Sequence, residues 1–498
     1  MTNLRRFWPW PVFLILALSL ILRSLWLGRE GLWIDEMVSW WWSKGDLKHA
    51  LAVERSNPPL YYVLLFCWVQ IFGNSEIALR SFSIPPSIGS LVLVYFLGRR
   101  LFTPTIALVA LGIMGLSSFQ IAYAQEARTH AWLSFLILTA TIVLLEALQS
   151  TGRRRLVWWT FYTALAIACF YMHYISPFFF ASHGLYTLGL TLTRRQSFRP
   201  LLEHAAAGGL AALAFLPQIL YILSGAGSIN RPRGLMWLKL PQTYFSLLFG
   251  DSLIPLDRNA VNNIRGTLLD NAPYLIGAIA AMALLLPFVW RGFQHWKHRA
   301  ALVYLMTVAP VVSCFIVSFK ESVFDERYML SVAPFLCLAL AAAVAEVFSE
   351  TRPLWRLAGF TAAGLYVALL LIALAHLFFE PRFGKEQWRV AIAALETQAD
   401  PARDQILLEP DYLHLALMYY GRRGVPFTRI LDQDRASIIG QQSPLEEKFR
   451  HARRVWFVRS HHEDDQILDA LRRQFDQKNF RHYSVANHIE IYEFAPRN

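Results

Sequence analysis

Leu60-Tyr61-Tyr62-Val63-Leu64-Leu65-Phe66-Cys67-Trp68-Val69-Gln70-Ile71-Phe72 decides how this chain is threaded. At 1.5 Å per residue these 13 residues reach about 20 Å as a helix, short of the ~30 Å hydrocarbon layer of a bilayer. The chain of 498 residues also carries about eleven longer apolar blocks, near 8–27, 80–98, 104–122, 130–149, 156–173, 175–193, 201–223, 273–290, 300–319, 328–348 and 357–378. If the 60–72 run does not span and the N-terminus is cytoplasmic, Arg5/Arg6, Arg99/Arg100, Arg153/Arg154/Arg155, Arg194/Arg195/Arg199, Arg291/Lys297/Arg299 and Arg352/Arg356 all fall on one side. If it spans, every later loop flips, and the excess of Lys and Arg expected of cytoplasmic loops fails at each one. The run is therefore expected to lie on the outer surface as a juxtamembrane or re-entrant helix. That arrangement gives eleven spans and an extracytoplasmic C-terminal end.

Composition agrees with a polytopic membrane protein. The chain is 55% hydrophobic and 16% charged, against about 25% charged for soluble domains. Its net charge of +12 follows from basic loops and calls for no nucleic acid. Cys67, Cys169, Cys314 and Cys337 sit singly in apolar stretches, which excludes a disulfide frame or zinc site built on cysteine spacing. The first apolar run follows Arg5 and Arg6 but ends in Leu25-Trp26-Leu27, a poor cleavage site, so a retained helix is expected rather than a signal peptide. No internal repeat or phosphate-binding glycine loop stands out. The expected fold is mainly α: a transmembrane helical domain over 1–380, then a small α/β domain over 381–498. Helices are expected at Glu386–Gln398 and Glu463–Phe475, strands at Gln405–Leu408, Val455–Arg459 and His488–Phe494.

With this threading, acidic residues gather at the outer segments. These carry Asp35-Glu36, Glu126 with Arg128, His173-Tyr174, the 224–272 segment with Arg231, Arg233, Asp251, Asp257 and Asp270, and the turn bearing Glu321, Asp325, Glu326 and Arg327. Their grouping points to a polar cavity at the outer rim. Two adjacent carboxylates among Trp33 and Trp40-Trp41-Trp42 would be partly desolvated, which favours a general base. The tryptophans also suit an interfacial belt. Arginine suits a phosphate bidentately, although at a helix mouth it also simply snorkels. The acids leave room for a divalent cation without spacing that demands one.

Trp33-Ile34-Asp35-Glu36, Asn57-Pro58-Pro59-Leu60-Tyr61-Tyr62, Ile77-Ala78-Leu79-Arg80, Leu97-Gly98-Arg99-Arg100-Leu101-Phe102 and Tyr123-Ala124-Gln125-Glu126-Ala127-Arg128, in this order, resemble glycosyltransferase family 39 of the GT-C class. That family includes protein O-mannosyltransferases and lipid A aminoarabinose transferases. The resemblance is densest over residues 30–180, and Arg327-Tyr328 with Pro334 extend it to about 340. It implies a GT-C transmembrane domain and a polyprenyl-phosphate-linked sugar donor used on the non-cytoplasmic face of the inner (plasma) membrane, with a lipid, glycan or protein acceptor. It implies Asp35, with Glu36 beside it, as base or acceptor-positioning acid, and Glu126 as a second acid. It implies a basic group on the donor phosphate near His173. Arg128, Arg327, Tyr174 and Tyr61 complete the expected substrate-binding set. Asn57 in place of a usual histidine, and Thr129-His130 in place of a frequent Pro-Tyr, depart from the family's pattern and bear on acceptor choice. The alternative from another class is a polytopic transporter or flippase of lipid-linked glycans, which would want charges within the spans and broken helices in paired halves.

Overall fold

A computed structural model of the protein describes residues 10–52, 57–221, 236–255, 264–319, 324–431, 435, 438–439, 449, 451–460, 465–482 and 489–496. Arg231, Arg233, Asp257 and Glu321 lie outside the described residues. The chain divides into two units: Met1–Leu25, Gly45–Gly73 and Ala78–Phe379 in one, and Trp26–Lys44, Asn74–Ile77 and Glu380–Asn498 in the other.

The first unit is helical because its apolar runs must satisfy their backbone internally in hydrocarbon. In chain order, with helices of the second unit included for numbering, the elements are α1 (Trp10–Ser24), α2 (Ile34–Ser43), α3 (Leu47–Leu51), α4 (Leu60–Phe72), α5 (Glu76–Ser81), α6 (Ile84–Leu101), α7 (Pro104–Leu116), α8 (Ser118–Ala124), α9 (His130–Gln149), α10 (Gly152–Met172), α11 (Ser176–Leu192), α12 (Arg199–Ala214), α13 (Leu216–Tyr221), α14 (Met236–Phe249), α15 (Ile264–Asp270), α16 (Ala272–Val317), a 3-10 segment Glu326–Val332, α17 (Ala333–Phe348) and α18 (Pro353–Phe379). Among the described residues, six helices are long and apolar enough to cross a membrane, or seven with the bent pair α7–α8 taken as one span. The other expected spans coincide with α1, α10, α11 and α12–α13, which are helices of lower length or apolarity. The protein is an integral membrane protein. The deciding run is indeed a separate helix, α4, of 13 residues.

One expected span is bent, and two others form one continuous helical run. The 104–122 block breaks after Leu116, and α7 and α8 meet at 61°. Ser117 restarts the helix, its hydroxyl accepting the Gln120 N–H at 3.4 Å. The α16 run reverses on itself. Tyr304 Oη donates to Val289 O at 3.3 Å across 15 residues, which a straight helix would separate by ~22 Å. The reversal lies between Lys297 and Arg299, at the basic loop expected from charge. The basic ends of the spans also carry carboxylates: Arg100 pairs with Glu146, Arg155 with Glu203, and Arg291 and Arg352 with Glu350. Hydrogen bonds from Arg352, then from Arg291, hold the Glu350 carboxyl down at about 2.

Gly250 closes α14 at φ +91°, a conformation that favours glycine. A Cβ there would lie 1.9 Å from Ser118 Oγ at the start of α8. Gly250→Ala is expected to cost about 2–3 kcal/mol through backbone strain and overpacking, seen as a lower thermal midpoint. Adding Ser118→Gly is expected to recover the steric part alone.

The second unit adds α19 (Trp388–Gln398), β1 (Asp404–Glu409), α20 (His414–Tyr420), β2 (Phe427–Arg429), β3 (Arg454–Arg459), α21 (Gln466–Gln474), β4 (Phe475–His482) and β5 (Glu490–Pro496). The sheet order is β2-β1-β3-β5-β4. β1 runs parallel to β2 and β3, and β5 antiparallel to β3 and β4. β1 and β3 are buried almost throughout, as central strands covered on both faces are. Leu407, Phe457, Leu471, Phe475 and Phe494 belong to its core. The early segments are bound into this unit: Glu76 accepts from Arg389 at 2.8 Å and from Tyr420 Oη at 2.5 Å, Leu32 N–H donates to Tyr420 Oη at 2.6 Å, and Glu30 accepts the Lys385 N–H at 3.0 Å.

Candidate active site

The residues expected at one rim fall in both units. Asp35 and Glu36 belong to the second; Tyr61, Glu126, Arg128, His173, Tyr174 and Arg327 belong to the helical one.

In the helical unit the turn 125–129 carries Glu126 and Arg128, and it is pinned at three points. Gln125 Nε2 donates to Leu22, Arg23 and Leu25 carbonyls at 3.0, 3.3 and 2.9 Å, serving the acceptors that the end of α1 leaves without intrahelical partners. Ser83 Oγ donates to Glu126 O at 2.5 Å. Thr129 Oγ1 donates to Met172 O at 3.1 Å, which ties the turn to the end of α10, next to His173. Asp325 caps the 3-10 segment by accepting Arg327 N–H at 3.2 Å, and it also pairs with the Arg327 guanidinium at 3.2 Å.

These pins assemble an aromatic and imidazole cluster. The His173 ring lies 4.6 Å from Tyr328 and 6.2 Å from His130. His130 lies 5.8 Å from Tyr328 and 5.3 Å from Tyr123. Arg128 and Arg327 both act electrostatically on His130. Glu126, Asp251 and Asp325 act with Arg327 on Tyr123. Glu326 accepts from Lys239 at 3.3 Å. Of the expected residues, Glu126, Arg128, His173 and Arg327 thus surround this cluster. Tyr174 turns toward Gln218, with its hydroxyl 3.4 Å from Oε1. Tyr61 packs its ring 5.7 Å from Phe82 and is 2% exposed.

Sequence reading passed over Lys239 and left Asp251 and Tyr123 without roles. Asp251 is recessed beside other acids. Burial, then the Glu326, Asp325 and Glu126 charges, push its carboxyl up to about 7. A raised carboxyl keeps its proton more firmly in the folded than in the unfolded chain. Between about 3.8 and about 7 the folded state therefore holds more protons, and stability falls as pH rises. Asp251→Asn is expected to flatten that fall, as measured by thermal midpoints from pH 4 to 8. Among the described residues no group of three or more His, Cys, Asp or Glu is arranged to hold a metal ion.

In the second unit Asp35 and Glu36 begin α2. Glu36 is fully buried, pairs with Lys385 Nζ at 3.3 Å and accepts the Trp33 N–H at 3.4 Å. Asp35 is partly exposed. The tryptophan run does not simply form a belt. Trp40 is 6% exposed and meets Tyr419 edge-on at 5.0 Å, and Lys44 Nζ stands 3.8 Å over Trp41.

Residues 56–221, about a third of the chain, match the family described as dolichyl-phosphate-mannose-protein mannosyltransferase. No curated protein matches the sequence. Among solved structures, ArnT from Cupriavidus metallidurans in the apo state aligns over 97% of both chains, at 12% identity and TM-score 0.60. The chain has the GT-C glycosyltransferase fold. The same GT-C protein bound to undecaprenyl phosphate aligns over 97% of both chains, at 13% identity and TM-score 0.54. The Archaeoglobus fulgidus oligosaccharyltransferase in the apo form aligns over 92% of this chain and 70% of its own, at 12% identity and TM-score 0.57. The resemblance to glycosyltransferase family 39 read from the motifs is upheld by the family match and this GT-C fold.

Proposed function

We propose that this protein is a membrane glycosyltransferase that moves a sugar from a polyprenyl-phosphate donor to a lipid, glycan or protein acceptor on the non-cytoplasmic face of the inner membrane. The observation that carries the reading is the GT-C fold over nearly the whole chain, together with a helical unit that groups Arg128, His173, Arg327 and Tyr328. An acceptor hydroxyl oxygen attacks the anomeric carbon as the bond to the phosphate oxygen breaks, with inversion. Asp35 takes the hydroxyl proton, and polyprenyl phosphate departs. Arg128, His173 and Arg327 stabilise the charge it carries away, as fixed cations do best in a desolvated site. Glu126 serves as the second acid. Tyr61 and Tyr174 support the walls through their packing with Phe82 and Gln218.

The test is purified full-length protein with labelled polyprenyl-phosphate sugar and a membrane lipid and glycan extract as acceptor. Release of polyprenyl phosphate with label appearing on an acceptor supports the reading. Binding without release, or transport of intact donor across a vesicle, overturns it in favour of a carrier.

A further inference from the structure

His130, at the start of α9, is 2% exposed. Among the described residues neither of its ring nitrogens meets a hydrogen-bond partner, and no other histidine buries both in that way. An imidazole orphaned on both edges in an interior costs free energy unless a polar group reaches it. Two hydroxyls on the same elements share the condition. Ser134, one turn further along α9, and Ser331, three residues after Tyr328, each bury Oγ with no partner among the described residues. α9 packs against the 3-10 segment that holds Tyr328 and Ser331. The rings of Tyr123, Tyr328 and His173 stand 5.3, 5.8 and 6.2 Å from His130.

The donor and acceptor inventory selects the ligand. Arg128 and Arg327 offer only N–H donors, which suit a phosphate. Neutral imidazole and serine hydroxyls add acceptors, for which an ionised phosphate has no use. A sugar hydroxyl donates and accepts at once, and the C–H faces of a sugar ring lie well against aromatic rings. We infer that His130, with Ser134 and Ser331, reads a hydroxyl of a sugar ring held beside Tyr328, so that His130 selects the sugar while the arginines hold the phosphate. This rests on the sugar-transfer reading above. The hydroxylated ring belongs to the donor or to a glycan acceptor, and the experiment separates the two.

The probes are dolichyl phosphate, dolichyl-phosphate mannose and octyl mannoside, bound to full-length protein in lipid nanodiscs. His130→Phe keeps a ring and removes both nitrogens; His130→Asn keeps a group that donates and accepts. The expected result is that His130→Phe binds dolichyl phosphate within about twofold of wild type and dolichyl-phosphate mannose about tenfold more weakly, with part of the loss restored in His130→Asn. A tenfold loss for octyl mannoside alone also supports the inference and assigns the ring to the acceptor. Equal weakening for both dolichyl lipids makes His130 a phosphate ligand and overturns it. Unchanged binding of all three probes overturns it. If wild type binds neither dolichyl lipid, the sugar-transfer reading itself falls and takes the inference with it. Should His130→Phe not fold, His130→Asn alone decides: a several-fold loss of discrimination between the two dolichyl lipids, with dolichyl phosphate bound as by wild type, supports the inference, and wild-type discrimination overturns it.

Discussion

Asp35→Asn is expected to fold normally and to lose turnover by about 10²–10⁴, the range for removing a general base. The neighbouring Glu36→Ala is expected to behave differently, lowering thermal stability by about 3 kcal/mol before any effect on chemistry is read. The difference follows from one turn of α2. Glu36 points into the second unit, is fully buried, and holds Lys385 at 3.3 Å. Removing it strands a lysine that is itself 19% exposed, so water recovers part of the loss. Asp35 faces outward enough to stay partly exposed, and the Asn amide preserves its shape while abolishing its basicity. Donor turnover and detergent-solubilised melting curves, measured together, check both. A near-wild-type rate for Asp35→Asn removes that residue from the mechanism, and an unshifted melting curve for Glu36→Ala removes the anchoring role.

The order of the helices was legible because charge and hydrophobic length are local properties of a sequence. The 13 residues 60–72 form a helix of their own, α4, and the basic loop at Lys297–Arg299 is where α16 turns back. Strands β1, β3 and β5 were legible for the same reason, since their buried faces are runs of Ile, Leu, Val and Phe. β2 was not, with three residues and exposed ends. β4, Phe475–His482, reads as polar because it lies at the sheet edge. At the candidate site, Arg128, His173 and Arg327 could be named from their positions at span ends. His130 could be seen only as a departure from a motif, since its isolation depends on Tyr328, some 200 residues away in the chain. Glu36 looked like Asp35 because the residue that distinguishes them, Lys385, comes from the far end of the chain. Arg23 was hidden in the first apolar run, where a single arginine at a helix end ordinarily snorkels to the interface.

That arginine does the opposite. Arg23 is fully buried, with Nε donating to Ser87 Oγ at 2.8 Å and the Nη atoms to the carbonyls of Ser19, Gly115 and Met114 at 3.3 Å each. Met114 and Gly115 are in the last turn of α7, whose carbonyls lose their partners when the helix breaks. A cation at that end also meets the negative pole of the helix. Gly115 lets α1 come close enough for this, since a Cβ there would lie 2.7 Å from Ser19 Oγ. Arg23 therefore fixes the 61° bend, and α8 beyond the bend leads directly into the turn that carries Glu126 and Arg128. Arg23→Leu leaves the Met114 and Gly115 carbonyls and the Ser87 hydroxyl buried without the Arg23 donors, at roughly 1–3 kcal/mol each before relaxation. The expected net loss is about 3–5 kcal/mol. Displacing the turn by even an ångström is expected to lower turnover by about 10²-fold. Arg23→Lys keeps the charge but not the fork that spans α6 and α7, so it is expected to restore much of the stability and less of the rate. Melting curves and donor turnover for the two variants check this, and an Arg23→Leu protein as stable and as fast as wild type would mean that the bend is held by packing alone.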